Sequence, residues 1–397
     1  MSSPPIRSSD IDACPGALRL HAADDGPLAR VRLPGGLLTG PQVGVLRDLA
    51  QRWGDRRVEL TSRANAQLRA LTAAPAEALA EALRGCGLLP SDTHELVRNI
   101  AAAPVPGAWD VRPVVRELDR AVCADPALAG LPGRFLFALG PVPAAADVAA
   151  IEAPDGIAVL FASHDRGLRV DPVAVVPALI AGARAFLDVR AEQSTPAWRL
   201  RELDDGPSLV ADRAAAAIGA SLRPAAPLPA VAPAEPIGLV PQVDGLFAAA
   251  ALVPLGSLSG AQLTALAGAS TLAVTPWRGV VVPDLTRPEA EAWLHRLGAV
   301  GLEVAPGSRW SGVTACAGRP GCARALADVR HDAEATTRFA DGLPVHWVGC
   351  ARGCGSPAVP HVRVEATGAG YAVSSPGVVG EAPAGEVGAL VAAAREA

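Results

Sequence analysis

The sequence predicts an α+β fold made of two related halves. Three features support this: an internal repeat, a proline-rich segment between its copies, and apolar runs that alternate with helical periodicity. The first copy reads RVRLPGGLLTGPQVGVLRDLAQRWGDRRVELTSR and the second reads AALVPLGSLSGAQLTALAGASTLAVTPWR. Each copy has the order strand, helix, strand, with Thr39 or Ser259 placed to cap its helix. Because Pro34 to Gly40 match Pro254 to Gly260 in spacing, we interpret the copies as a duplication.

Residues 223–241 separate the two halves. The segment RPAAPLPAVAPAEPIGLVP is dense in proline, which interrupts regular structure, so it is predicted to be a linker. On each side of it we expect a small unit followed by a larger α/β piece, with the bounds 15–80, 81–222, 242–300 and 301–397. Within the larger pieces, FLFALG and IAVLFAS favour strands, whereas DVAAIE, DPVAVVPALIAGARAFLDVRAE and CARALADVRHDAEATTRFA favour helices.

Composition limits the classes of function. The 397-residue chain has a net charge of −5, which argues against a nucleic-acid binder, and its 35 basic residues are all arginine. The uncharged stretch between Asp244 and Arg278 is long enough to span a bilayer, but prolines, glycines and polar residues interrupt it. We therefore expect buried strand, turn and helix there. Since MSSPPIRSSDID lacks the apolar region of a secretory signal, we expect a cytoplasmic protein that does not associate with membranes.

Four of the seven cysteines form a quartet near the C-terminus, within VTACAGRPGCAR and VGCARGCGSP. Five residues separate Cys316 from Cys322, and three separate Cys350 from Cys354. The first spacing is wide for a zinc turn, whereas a 4Fe–4S cluster accepts wider loops and glycines let the backbone approach it. A helix beginning at Cys322 would place its positive end beside the thiolates. We therefore favour a 4Fe–4S cluster over zinc, and we predict that the isolated cysteines are structural: Cys14, Cys86 and Cys123.

The spacing of this quartet, in the second half of a duplicated chain, resembles the cluster signature of the nitrite/sulfite reductase family. RVRLPGG, LTSRANAQLR and VRNIAAAPVPG resemble three further motifs of that family, although Ala64 stands where the family usually has glutamine. The resemblance covers nearly the whole chain. It implies ferredoxin-like half-repeats at 15–80 and 242–300, a substrate-binding domain at 81–222, a 4Fe–4S domain at 301–397, and a tetrapyrrole between the halves.

One stretch distinguishes between the branches of that family. Sirohaem-dependent reductases carry two lysines that deliver protons, and the matching stretch here is LPGRFLF, with Arg134 and Leu136 at those positions. Arginine releases a proton poorly because its pKa exceeds about 12, and leucine has none to release. With the opening CPGALRLHAADDGPLARVRLPGG and the short length, this resembles the precorrin-3B synthase family, in which the tetrapyrrole is the substrate. A sirohaem-dependent sulfite or nitrite reductase is the alternative, and a non-catalytic iron–sulfur electron carrier is the second alternative.

The resemblance implies a monooxygenase of aerobic cobalamin biosynthesis. Such an enzyme uses dioxygen to hydroxylate precorrin-3A at carbon 20, and a ring-A acetate closes to a γ-lactone. The resemblance also implies a mononuclear non-haem iron beside the cluster, and an electron donor such as NADH or a reductase is expected. The sequence assigns no ligand of that iron among its seven histidines, and it assigns no catalytic residue.

Arginines in the family-like stretches are candidates to bind the carboxylates of such a substrate. The planar guanidinium forms bidentate pairs with carboxylates and stays charged when it is buried. Arg278 is included because it lies in the second copy of the repeat. The predicted substrate-binding residues are Arg32, Arg63, Arg69, Arg98, Arg134 and Arg278.

Overall fold

A computed structural model describes residues 14–225, 234–357 and 359–397, so residues 1–13 and residues 226–233 of the predicted linker lie outside the described part. The first half contributes these elements: β1 (His21–Ala23), β2 (Gly26–Val31), β3 (Leu37–Thr39), α1 (Gly40–Trp53), β4 (Arg57–Leu60), β5 (Ala66–Leu68), α2 (Ala76–Gly85), β6 (Ile100–Ala102), α3 (Arg112–Ala124), β7 (Phe137–Leu139), β8 (Val148–Ala153), β9 (Gly156–Phe161), β10 (His164–Val170), α4 (Val175–Glu192) and α5 (Gly206–Ala217).

The second half repeats much of this order. It contributes these elements: β11 (Gly238–Pro241), β12 (Phe247–Ala251), β13 (Ser257–Ser259), α6 (Gly260–Leu266), β14 (Thr271–Val274), β15 (Val280–Leu285), α7 (Arg287–Ala299), β16 (Val313–Ala315), α8 (Val329–Thr336), β17 (Val345–Val348), β18 (Val362–Ala366), β19 (Tyr371–Ser375), β20 (Val378–Ala382) and α9 (Val387–Glu396).

The two small units exchange a strand. One sheet has the order β1-β2-β5-β4-β13 and its counterpart has the order β11-β12-β15-β14-β3, so each unit completes the sheet of the other. Both exchanged strands pair antiparallel, with Leu38 opposite Leu272 and Leu258 opposite Val58. Apolar side chains from both units form a single core. The duplication predicted from the sequence is therefore confirmed, and the halves cannot separate without opening both sheets.

Equivalent caps begin the equivalent helices α1 and α6. The Thr39 hydroxyl accepts a hydrogen bond from the backbone N–H of Gln42, whose side chain accepts one from the backbone N–H of Thr39. Ser259 and Gln262 make the same pair of bonds. These bonds satisfy backbone donors that the first helical turn leaves without partners. The helix caps predicted at Thr39 and Ser259 are therefore confirmed.

The two larger pieces share one strand topology. Their sheets have the orders β10-β9-β8-β7-β6 and β16-β17-β18-β19-β20. In each sheet the first three strands along the chain pair parallel and the last two pair antiparallel. Helices α3, α4 and α5 cover the first sheet, and α8 and α9 cover the second. The loops after β16 and β17, at the carboxyl ends of parallel strands, carry the cysteine quartet.

One segment of the described chain, Pro172–Glu192, is long and apolar enough to cross a membrane. It contains α4, whose residues Leu179 and Phe186 are buried in the core of the first larger piece. Half of its most apolar window is buried inside the protein, as is typical of a helix that covers a sheet. The uncharged stretch before Arg278 instead forms β12, β13, α6 and β14, as predicted.

Two of the predicted helices are wrong in type or extent. DVAAIE forms strand β8, which lies between β7 and β9 with Val148 and Ala150 fully buried. A strand buried on both faces is an apolar run that periodicity cannot distinguish from a buried helix. The helix predicted to begin at Cys322 is confined to Val329–Thr336, because Asp328 caps it there. Cys322 therefore lies in a turn rather than at the amino end of a helix.

Gly36 offers a test of the strand exchange. Its φ is +71°, and an added Cβ would lie 2.0 Å from the carbonyl oxygen of Val274 in the other half. We expect Gly36→Ala to lower the free energy of unfolding by about 2 kcal/mol or more, since backbone strain and steric overlap both oppose it. Gly44→Ala in α1 is the matched control, because a Cβ there meets nothing within 4 Å.

Alanine at Gly44 should raise the free energy of unfolding by up to about 1 kcal/mol, because it has the higher helix propensity. Urea unfolding followed by circular dichroism measures both variants. Equal midpoints for the two variants would contradict the close approach described at Gly36.

Candidate functional site

A cleft of about 530 Å³ lies between the two halves. The first half contributes strands β1, β2, β4 and β5 to its walls, and the second half contributes the turn between β14 and β15 and the loops after β16 and β17. All four members of the cysteine quartet line it: Cys316, Cys322, Cys350 and Cys354. The quartet of one half therefore faces the sheet of the other.

Cys316 and Cys350 follow the ends of β16 and β17. The backbone N–H of Gly349 donates a hydrogen bond to the Cys316 sulfur over 3.2 Å. An added Cβ at Gly349 would lie 2.6 Å from the Ala325 side chain, so glycine is needed for this approach. Burial raises the pKa of the Cys316 thiol, and hydrogen bonds from the backbone of Gly349 and Gly318 act against that shift. Backbone donors aimed at a cysteine sulfur are typical of sites that hold it as a thiolate ligand.

Cys322 and Cys354 lie in tight turns. The Cys322 sulfur is 3.4 Å from a carboxylate oxygen of Asp24, at the tip of the β1–β2 hairpin of the other half. Cys354 is exposed, and its neighbours Gly353 and Gly355 have φ values of +61° and +85°. These left-handed conformations, which favour glycine, turn the chain sharply around Cys354.

A buried histidine lies under the second pair of cysteines. His346 on β17 is fully buried, with Nε2 3.0 Å from the carbonyl oxygen of Cys354 and Nδ1 2.8 Å from the hydroxyl of Thr314. Burial lowers its pKa to about 4, so the ring is neutral at neutral pH. Both ring nitrogens make hydrogen bonds within the protein, so neither is placed as a metal ligand.

The residues around the quartet fit a 4Fe–4S cluster. Four soft thiol ligands line one cleft, a backbone N–H reaches a cysteine sulfur, and glycines shape the surrounding turns. Within residues 14–225, 234–357 and 359–397, no three or more His, Cys, Asp or Glu side chains converge on a position for a metal ion, and this holds for the quartet too, whose thiols line the cleft apart from one another. The mononuclear iron therefore stays a prediction without ligands.

Ion pairs close one side of the cleft. Arg69 forms a bidentate pair with Asp25, at 2.8 and 2.9 Å. Arg330 donates to the Glu59 carboxylate and, over 3.1 Å, to the carbonyl oxygen of Cys316. A second cavity of about 680 Å³ shares Glu59, Arg69 and Arg330 with the cleft. These side chains therefore separate two cavities and tie the Cys316 segment to the first half.

Two further arginines on the cleft wall lack a close carboxylate partner in the part of the chain that the structure describes. Arg30 donates to the side chain of Gln67 over 2.9 Å, but its buried Nε has no hydrogen-bond partner among the described residues. The guanidinium of Arg278 has neither an ion pair nor a hydrogen bond within the described part of the chain. Burial lowers the pKa of both groups. The Glu59 carboxylate favours their charged forms but pairs closely with neither of them. Because a desolvated cation without a close ion pair is costly, this wall is suited to an anionic ligand.

The structure brings two of the predicted arginines, Arg69 and Arg278, to the cleft, while the other four do not line it. Arg32 is buried and donates to the carbonyl oxygen of Leu96 over 3.3 Å. Arg98 is buried and forms a bidentate pair with Asp119 of α3, at 2.7 and 2.8 Å. Substrate contact by Arg32 and Arg98 stays a prediction.

Arg63 and Arg134 do not line the cleft, but each lies near enough to Arg30 for their charges to repel. Burial lowers the pKa of Arg63 to about 10, and repulsion from Arg199 adds to this shift. The guanidinium of Arg134 lies 5.1 Å from the centre of the Trp198 ring, a cation–π distance. A role for either residue in binding substrate is likewise still a prediction.

The repeat aligns Arg278 with Ala64 rather than with Arg63. The backbone N–H of Ala64 donates to the Thr61 carbonyl, and that of Arg278 donates to the Thr275 carbonyl, each over 2.9 Å. Both residues are in the left-handed region, with φ of +57° and +66°. The two turns are therefore equivalent, and the second half carries a cation at a position where the first half carries a methyl group.

Three arginines of the cleft are absent from the predicted set: Arg30, Arg330 and Arg352. Arg30 stands in the same RVR motif as Arg32, so the motif could have marked it, whereas Arg32 itself lies beyond the end of β2 and does not line the cleft. Arg352 lies between Cys350 and Cys354, so the second cysteine motif could have marked it. No motif marks Arg330, which reaches the cleft from α8.

Comparison with known proteins places the chain in a family. A family model described as the nitrite/sulfite reductase ferredoxin-like half domain matches residues 21–86. The chain is 30% identical over 383 residues to the precorrin-3B synthase of Sinorhizobium sp, with 90% of this chain and 81% of that protein covered. It is 28% identical over 389 residues to the ferredoxin–nitrite reductase of Synechococcus elongatus, with 84% and 75% covered.

A solved structure agrees in fold. The Mycobacterium tuberculosis NirA protein superposes with a TM-score of 0.71 at 20% identity, over 91% of this chain and 79% of that one. The paired small units and the cysteine-lined cleft define an enzyme of the nitrite/sulfite reductase class. The chain belongs to the nitrite/sulfite reductase family that includes precorrin-3B synthase, and the predicted fold class is confirmed.

The quartet can be tested apart from any activity. Cys316→Ser and Cys354→Ser should each abolish the brown absorbance of protein reconstituted with iron and sulfide, since a hydroxyl is a poor substitute for a thiolate ligand. Cys86→Ser is the control, because that thiol donates to the Leu83 carbonyl at the end of α2. Iron and sulfide analysis measures all three, and normal content in either quartet variant would refute the ligand assignment.

Proposed function

We propose that this protein acts as a precorrin-3B synthase, a monooxygenase that hydroxylates precorrin-3A at carbon 20 and closes a γ-lactone from a ring-A acetate. The observation that carries the proposal is that one cleft holds both the cysteine quartet and the desolvated guanidinium groups of Arg30 and Arg278. Similarity to the Sinorhizobium sp precorrin-3B synthase over most of both chains supports the same choice.

The charges of the cleft suit a tetrapyrrole that carries acetate and propionate carboxylates. A guanidinium binds a carboxylate through two parallel hydrogen bonds, and a hydrogen bond to a charged group is worth about 1.5–3 kcal/mol. For Arg278, which Glu59 favours only through space and which forms no close ion pair within the described residues, a substrate carboxylate would offset the cost of burial. Arg352 adds a third cation beside the quartet. The 530 Å³ volume lies in the range of small-molecule sites, about 300–1,000 Å³.

The stoichiometry of oxygen insertion determines what else must reach the site. One atom of dioxygen enters the substrate and the other leaves as water, so two electrons and two protons are consumed in each turnover. Side chains cannot supply two electrons in every turnover. The proposal therefore includes an external electron donor such as NADH or a reductase.

The quartet would hold the 4Fe–4S cluster, which supplies one-electron transfer when bound. Arg330 keeps the Cys316 segment against the first half through its bonds to Glu59 and to the Cys316 carbonyl. The mononuclear non-haem iron enters the proposal as a cofactor only, without assigned ligands.

A sirohaem-dependent nitrite or sulfite reductase is a second candidate, favoured by the similarity to ferredoxin–nitrite reductase over 84% of this chain. Reductases of that kind protonate their substrate through lysines at the positions of Arg134 and Leu136. Here Leu136 is 1% exposed and Arg134 stacks on Trp198. Since the chain contains no lysine, we rank this candidate second. A sirohaem spectrum with sulfite turnover driven by methyl viologen would reverse the order.

A non-catalytic iron–sulfur electron carrier ranks third. Electron transfer requires the cluster but not a cleft lined with arginines from both halves. Tight binding of precorrin-3A without any uptake of oxygen would favour this candidate over the first.

The proposal is tested by incubating the reconstituted protein and an electron donor with precorrin-3A, in air and under argon. We expect a product in air that gains one oxygen atom from isotopically labelled dioxygen, and no product under argon. Unchanged substrate in air, with the cluster spectrum intact, would contradict the proposal.

Arg278 is the residue that tests how the substrate is bound. Arg278→Gln should lower kcat/KM by about 10- to 100-fold, which corresponds to the loss of about 1.5–3 kcal/mol of charged hydrogen bonding. The kcat/KM of Arg278→Lys should lie between those of wild type and Arg278→Gln, since lysine keeps the charge but loses the bidentate fork. Arg213→Gln, which removes an exposed pair with Glu192 at 2.7 Å, is the control and should leave kcat/KM unchanged. If Arg278→Gln matches that control, Arg278 does not bind the substrate.

A further inference from the structure

We propose that His346 is a positioning residue that holds the two cysteine segments in register around the cluster. The proposal rests on the cluster that the proposed function assigns to the quartet. It concerns a side chain that coordinates nothing itself and acts through its two hydrogen bonds.

The hydrogen bonds of His346 join both parts of the quartet. Nδ1 lies 2.8 Å from the hydroxyl of Thr314, which precedes Cys316 by two residues on β16. Nε2 lies 3.0 Å from the carbonyl oxygen of Cys354. His346 itself precedes Cys350 by four residues on β17. One ring therefore bridges the strand that leads to the first pair and the loop that carries the last cysteine.

The partners determine the tautomer of the ring. A carbonyl oxygen can only accept, so Nε2 must carry the proton that binds Cys354. In the neutral ring Nδ1 is then an acceptor, and the Thr314 hydroxyl must donate to it. That hydroxyl also donates to the Val345 carbonyl over 3.1 Å, so its proton is shared between the carbonyl and the closer Nδ1. The relay therefore runs from Thr314 through the ring to Cys354, with each donor matched to an acceptor.

The loop that carries Cys354 needs such a support. Cys354 is exposed and stands between Gly353 and Gly355, which restrain the backbone least of all residues. An added Cβ at Gly355 would lie 3.4 Å from Cε1 of His346, so this loop packs directly on the ring. Because the ring is fully buried, its position is set by the sheet rather than by the loop. The sheet therefore anchors the backbone of Cys354 through the ring.

The test compares His346→Leu with His346→Gln, using the full chain after anaerobic reconstitution. Glutamine can donate from its amide nitrogen and accept at its oxygen, so it can replace both bonds, whereas leucine replaces neither. His361→Leu is the control, because His361 is only half-buried, its ring donates to the Val359 carbonyl rather than to a cysteine segment, and it lies 6.3 Å from His346 between ring centres. The readouts are iron and sulfide content, the lifetime of the cluster absorbance in air, and the cluster midpoint potential.

We expect His346→Leu to lose its cluster at least about tenfold faster than wild type, since loss of an outer-shell partner typically weakens a metal site about 10- to 100-fold. Glutamine should restore most of the lifetime, and the His361 variant should match wild type. Wild-type lifetime and potential in His346→Leu would overturn the proposal. If His346→Leu does not fold, Thr314→Val tests the proposal instead, because it removes the donor to Nδ1 while keeping the shape of the side chain. An unchanged cluster lifetime in Thr314→Val would also overturn the proposal.

Failure of this inference is distinguishable from failure of the proposed function. If wild-type protein takes up no cluster, the cofactor assignment fails and the positioning role fails with it. If wild type takes up a cluster but does not convert precorrin-3A, the lifetimes of the His346 variants still decide the positioning role.

Discussion

The exchange of strands β3 and β13 places the cleft and both of its walls. Each small sheet is closed by a strand of the other half, with Leu38 opposite Leu272 and Leu258 opposite Val58. This pairing brings the turn after β4 and the turn after β14 to opposite sides of one space, where Thr61 and Arg278 line the cleft. Because the apolar core is common to both units, neither wall can form without the other half. Formation of the site is therefore coupled to the pairing of the halves rather than to the folding of either one.

Charge within that space is distributed unevenly, and Glu59 is the reason. Its carboxylate accepts from Arg330 and from Gln67, and it lies 3.9 Å from Arg69, so it compensates the cations at one end of the cleft. Arg30 is linked to Glu59 only through Gln67, Arg278 makes no hydrogen bond to this group, and both guanidinium groups are desolvated. A ligand that carries several carboxylates gains most at these positions. Arginine suits them because it keeps its charge where burial would neutralise a lysine.

The sequence predicted the features that leave a periodic or spaced pattern. The repeat, the helix caps at Thr39 and Ser259 and the family resemblance all belong to this class. Strand β8 was not predicted, because an apolar strand that is buried on both faces lacks the alternation of polar and apolar residues. Arg98 shows the corresponding limit for site residues: its motif marks it, but the bidentate pair with Asp119 depends on how α3 packs and leaves no trace in the sequence. Arg330 shows the converse, since it enters the cleft from α8 without any motif.

The two larger pieces share one strand topology but carry different side chains at equivalent positions. The backbone N–H of Ala103 donates to the Leu139 carbonyl after β6, and that of Cys316 donates to the Trp347 carbonyl after β16, each over 2.9 Å. These positions are equivalent in the fold, yet only the second carries a thiol. The turns of the small units differ in the same way, since Ala64 stands where the second half has Arg278. A ligand between the halves therefore meets the quartet and Arg278 from one side and Arg30 from the other. Because these groups differ, they favour one orientation of an extended ligand, as the proposed reaction at a single carbon of a nearly symmetric ring would require.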